Sequence, residues 1–122
     1  MTAIARVKNK PTTVVMDCDA GLAVDDLVYQ DMSDDNRVLK NTDQNSPRPV
    51  IGFVASKPTA TTAEIVLLGV VSYTIARGPL FVGADGKLSL SGATVGYLQK
   101  MGFSFGNGSI YLNPETQRIK RV

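Results

Sequence analysis

Turn-forming residues interrupt this chain so often that no long helix fits between them. Residues 17–21, 33–36, 41–49, 57–58, 83–86 and 106–108 carry the Gly, Pro, Asn, Asp or Ser that tight turns require, and Gly69 and Gly92 add single breaks. The segments left between them are short and rich in β-branched and aromatic residues. Thr12-Thr13-Val14-Val15-Met16, Arg37-Val38-Leu39-Lys40, the run 50–55, Leu80-Phe81-Val82, Lys87-Leu88-Ser89-Leu90 and Ser109-Ile110-Tyr111-Leu112 all read as strands. Residues 22–30 alternate apolar and acidic character, with a slip at Asp25-Asp26 that suits a bulge or tight turn. Residues 62–68 and 70–75 are expected as two strands separated by Gly69, and 95–101 as one leading into Gly102-Phe103-Ser104-Phe105. A helix over 59–68 is the rival there, and the β-branched density favours a strand. The expected fold is all-β: a small β-sandwich or β-barrel of short antiparallel strands with an extended N-terminal arm. The arm is residues 1–11, the single β domain 12–113, and a basic C-terminal tail 114–122.

The strand pattern is echoed within the chain. Asp26-Leu27-Val28-Tyr29, Arg37-Val38-Leu39-Lys40, Ile51-Gly52-Phe53-Val54 and Ala63-Glu64-Ile65-Val66-Leu67 form one arc. Pro79-Leu80-Phe81-Val82, Gly86-Lys87-Leu88-Ser89, Met101-Gly102-Phe103-Ser104 and Ser109-Ile110-Tyr111-Leu112 form a second. One four-strand meander cannot bury its apolar face alone, so two are expected to pack together.

Composition narrows the chemistry. With no histidine in 122 residues, a Ser-His-Asp triad, a Cys-His dyad and any His-based zinc site are excluded. The one cysteine, Cys18, has no internal disulfide partner and stands between Asp17 and Asp19, whose charge opposes a thiolate; it reads as a small core residue. No apolar run reaches the length of a membrane span, and Met1 to Arg6 has no signal-peptide core, so neither membrane contact nor secretion is expected.

A net charge of +2 conceals segregation. Arg6, Lys8 and Lys10 lie near one end, and Arg118, Lys120 and Arg121 near the other. Eight aspartates fall between Asp17 and Asp43 against Arg37 and Lys40. The six terminal cations are the candidate partner-binding residues. They are too few, and too poor in interleaved aromatics, to favour nucleic acid; an acidic protein surface or a second copy's acidic segment suits them better.

Three patterns carry chemical precedent. Val14-Val15-Met16-Asp17-Cys18-Asp19 has the strand-then-Asp-x-Asp form of dehalogenase-type phosphatases, which need a doubly wound α/β scaffold and further carboxylates. A calcium loop starting at Asp17 would close on Val28 rather than Glu. The Gly-rich run 102–108 opens a hairpin rather than a helix, so it cradles no phosphate. No catalytic residue, metal site or cofactor is assigned. The four Tyr and four Phe fall mostly at strand positions and are expected in the core; Tyr29, Tyr73, Tyr97 and Tyr111 offer the alternative of a carbohydrate platform.

Asp17-Cys18-Asp19-Ala20 through Val24-Asp25-Asp26-Leu27-Val28-Tyr29, the runs 49–54, 57–63 and 67–71, and the closing Leu80-Phe81-Val82, Gly86-Lys87-Leu88 and Gly102-Phe103 together resemble small virion structural proteins of tailed bacteriophages. The likeness spans roughly residues 14–118, with Asp25 standing where that family carries Gly. The resemblance implies a non-enzymatic capsid decoration (cement) protein that binds the major capsid protein or other virion proteins, self-associates, and is assembled in the host cytoplasm onto the virion. Its alternative is a tail or surface-knob module contacting a host receptor or glycan.

Overall fold

The computed structural model describes residues 10–92 and 96–121. Among them there is no helix, and eleven strands are present: β1 (Thr12–Asp17), β2 (Leu27–Gln30), β3 (Val38–Lys40), β4 (Gly52–Thr59), β5 (Thr62–Ser72), β6 (Gly78–Val82), β7 (Leu88–Ser89), β8 (Gly96–Leu98), β9 (Lys100–Ser104), β10 (Ser109–Leu112) and β11 (Ile119–Arg121). Nine of them form one curled antiparallel sheet, a half-barrel, in the order β3-β2-β4-β5-β10-β9-β6-β7, with β1 on β5; β11 and β8 form a separate ribbon. The all-β expectation holds, and in place of the rival helix over 59–68 a turn at 60–61 leads into β5.

The strand order reproduces the echo read from the sequence. β3-β2-β4-β5 and β7-β6-β9-β10 are the same arrangement, joined where β5 meets β10. Phe53 pairs with Leu27 on one side and Val66 on the other, as Phe103 pairs with Pro79 and Tyr111. The glycine before each phenylalanine is equivalent too. A Cβ at Gly52 would stand 2.0 Å from the Val66 carbonyl oxygen, and one at Gly102 would stand 2.0 Å from that of Tyr111. Both units need the close backbone approach that only glycine permits.

One strand where two were expected is the main departure. β5 runs unbroken through Gly69, which adopts φ 127°. Ala63, Ile65 and Leu67 pack in a cluster with Cys18, Leu22, Val28, Val38 and Val54. Val66 joins the main core, and so do Val71, Tyr73 and Ile75. Positions 66 and 71 would face opposite ways on a regular strand, so the strand slips by one residue between them. β4 also outruns its expected end, continuing through Lys57 and Pro58. Pro58 is tolerated there because its neighbourhood is irregular: the β4–β5 register shifts between Ser56 and Thr59.

The turn at residues 24–25 places Asp25 at φ 77°, the one non-glycine residue with positive φ among those described. The Asp25 N–H donates to Val54 O, and the Asp26 carboxylate accepts from Ala23 N–H at 2.9 Å, so the strained turn is held from both sides. Cys18 is buried and free, as expected of a core residue.

Gln99 joins the two units. Its Oε1 accepts from Val50 N–H at 2.9 Å, and its Nε2 donates to Val50 O and to Glu115 O, each at 2.8 Å. The side chain is buried, so Gln99→Leu would leave both polar groups of Val50 without partners. We expect a loss on the order of 3 kcal/mol in urea unfolding. Gly52→Ala and Gly102→Ala should each cost at least about 3 kcal/mol in the same assay. Gly21→Ala, which meets nothing within 4 Å, should change stability by less than about 0.5 kcal/mol.

Candidate interaction surface

The units stack in tandem, and this leaves one face bare. In the first, the row Leu27–Phe53–Val66 is buried in the main core, where it meets Leu80, Ile110 and Leu112 of the second. The opposite face of the first unit is covered by the 17–26 segment through Cys18 and Leu22. The row of the second unit equivalent to Leu27–Phe53–Val66 is Pro79–Phe103–Tyr111, and among the described residues nothing is stacked on it. Val70 extends it through its pairing with Tyr111, giving four neighbouring side chains across β5, β10, β9 and β6. Phe103, Tyr111, Val70 and the adjacent Phe105 are each 38–44 % exposed. Phe105 lies edge-on to Phe103, ring centres 5.4 Å apart. Lys100, Asn113 and Glu115 flank Phe103 and Tyr111 in a shallow hollow.

These aromatics were expected in the core. Strand alternation gives each strand two faces without saying which is covered, and tandem stacking turns this one outward. The tyrosines do not form a carbohydrate platform together. Tyr73 packs edge-on against Phe53 at 6.2 Å, where burial pushes its phenol pKa up. Tyr97 lies beneath cations, and Tyr111 belongs to the exposed row.

The basic residues singled out from the sequence have different fates. Arg6 and Lys8 lie outside the described residues, as does the side chain of Arg121. Lys10 is exposed immediately before β1. Arg118 is part of the body: its guanidinium stacks 3.9 Å from the Tyr97 ring centre and donates to Ser46 O at 2.9 Å. Burial lowers its pKa. The Lys120 ammonium lies 5.0 Å from the same ring. β11 pairs with β8, Ile119 opposite Leu98 and Lys120 opposite Tyr97, so residues 119–121 form a strand within the segment expected as a tail.

Half of the aspartates of the acidic segment are absorbed by turns. Asp31 accepts from the N–H and hydroxyl of Ser33, Asp34 from Asn36 N–H, and Asp43 from Asn45 N–H. Asp19 pairs with Arg37, and Asp17 N–H donates to Asn36 O. The Asp17–Asp19 pair thus lies on an all-β scaffold beside an arginine, without the doubly wound sheet that dehalogenase-type chemistry requires.

Comparison with family models, curated proteins and solved structures finds no match to this chain.

The Ser33 backbone N–H, then the Ser33 hydroxyl and the charges of Arg37 and Arg48, hold the Asp31 carboxyl below its ordinary pKa against an opposing effect of burial. A carboxyl depressed on folding stabilises above its unfolded pKa and loses that contribution as pH falls through its folded value. Asp31→Asn keeps the turn acceptor and removes the charge. The variant should be less stable than wild type at pH 7, the gap closing below about pH 4 in urea midpoints measured across pH.

Proposed function

We propose that this chain is a bacteriophage virion structural protein, a capsid decoration protein that binds and stabilises the shell. The observation that carries the reading is the exposed row Val70–Tyr111–Phe103–Pro79, an apolar strip across four paired strands, whereas among the described residues both faces of the first four-strand unit contribute to buried clusters. Such a strip suits a fixed contact with another protein: its aromatics lie on paired strands and lose little freedom when covered. The major capsid protein or another virion protein is its partner, and many weak copies together reinforce a shell by avidity. Lys120, beside Tyr97, and Lys10 are exposed cations that can meet an acidic partner surface.

Purified protein mixed with expanded, undecorated capsids should co-sediment with them. Phe103→Asp should weaken that binding at least about 30-fold, the size of a hot-spot loss, while leaving the circular dichroism spectrum unchanged. Failure of the wild-type protein to bind capsids, with binding to host cells instead, would transfer the assignment to a tail or surface knob.

A further inference from the structure

Residues 113–116 separate the apolar row from a second hollow. Asn113 and Glu115 flank Phe103 and Tyr111, whereas Pro114 lies with Pro49, Ile51 and Leu67 in the wall of the other. That hollow has a volume of about 370 Å³, and its strongest polar groups are Arg48 and Gln30. Ligand sites run from about 300 to 1,000 Å³, so the space suits one or two side chains of an extended segment rather than a domain face.

The internal repeat shows what kind of surface this is. Ile51 precedes Gly52 as Met101 precedes Gly102, and Leu67 follows Val66, the partner of Phe53, as Leu112 follows Tyr111, the partner of Phe103. Met101 and Leu112 are completely buried in the main core with Leu27, Phe53 and Val66. Ile51 and Leu67 touch the cluster around Cys18 and Leu22 but stay half-buried. The positions that the second unit buries fully are thus left as an apolar wall in the first.

Arg48 adds the chemistry. It is half-buried, its Nη1 donates to Gln30 Oε1 at 2.8 Å, and its Nε faces Met32 Sδ, both uncharged acceptors. Its Nη2 donates to no described residue, and among the described residues no carboxylate lies within ion-pair distance of it. Asp31 feels its charge, but that carboxylate is engaged by Ser33 and by Arg37 at 3.9 Å. A guanidinium held in place by neutral acceptors keeps a fork of donors that matches a carboxylate. Its position beside an apolar wall asks for both characters in one ligand.

We propose that the protein covering the apolar row also docks an extended segment in this hollow, an aliphatic side chain against Ile51 and Leu67 and an adjacent Asp or Glu carboxylate on Arg48. This rests on the row being a partner contact, and it names the chemistry of the partner: apolar then acidic.

A blocked peptide with Leu-Glu at its centre is the probe. At low salt it should shift the amide resonances of Ile51 and Leu67 saturably, with Kd on the order of 1 mM. The same peptide with Leu-Gln, or with Gly-Glu, should bind at least about tenfold more weakly, and so should the Leu-Glu peptide to Arg48→Gln with a native circular dichroism spectrum. No saturable shift by about 10 mM peptide overturns the proposal. So does equal binding of the Leu-Glu and Leu-Gln peptides, or indifference to Arg48→Gln. A wild-type dimer that Arg48→Glu converts to single copies also overturns it, by giving the hollow to a second copy. Phe103→Asp should leave peptide binding unchanged and no capsid enters the titration, so failure here and failure of the decoration reading are separately visible.

Discussion

The slip in β5 governs how the rest of the molecule packs. A strand with strict alternation would send Val66 and Val71 to opposite faces. By losing one residue of phase near Gly69, β5 keeps both in the main core while passing from one four-strand unit to the other. Its first half supports β1 and β4, and its second half supports β10. The physical cost is confined to one glycine in a backbone region closed to other residues. The result is that the two units stack front to back.

Front-to-back stacking has an unavoidable consequence: each unit has two apolar faces and the stack has two ends. One end is closed by the chain itself, through Cys18, Leu22 and the turn at Asp25, whose positive φ brings the 17–26 segment across the sheet. The other end, on the second unit, presents Pro79, Phe103 and Tyr111 to solvent. The interaction surface is therefore a product of the same tandem arrangement that forms the core. Gln99 sets the join between the units by pairing with both polar groups of Val50, a constraint that an apolar contact would leave free to slide.

Electrostatics plays a local part. Asp26, Asp31, Asp34 and Asp43, four of the eight aspartates in residues 17–43, accept from backbone N–H groups two or three residues away, and Arg37 and Lys40 pair with Asp19, Asp31 and Asp26. Arg118 is removed from the pool of free surface cations by Tyr97 and Ser46. A count of charges along the chain overstates what the surface offers, because side chains already bonded in the fold are not free to meet a partner.

The all-β class, most strand positions, the repeat of four strands and the burial of Cys18 are legible in the residues alone. These follow from local chemistry: β-branched runs, Gly and Pro punctuation, and Asp or Asn that close turns within two residues. The break in alternation at Asp25-Asp26 likewise marks the point where the backbone takes a positive φ. Whether residues 62–75 made one strand or two was not legible, because Gly69 is compatible with a turn and with a slip in phase. Nor could alternation tell which face of Phe103 and Tyr111 would be covered, or that Arg118 would find Tyr97. Long-range packing settles these, because each depends on residues far apart in the chain being brought together, and the periodicity of a strand specifies two faces without choosing between them.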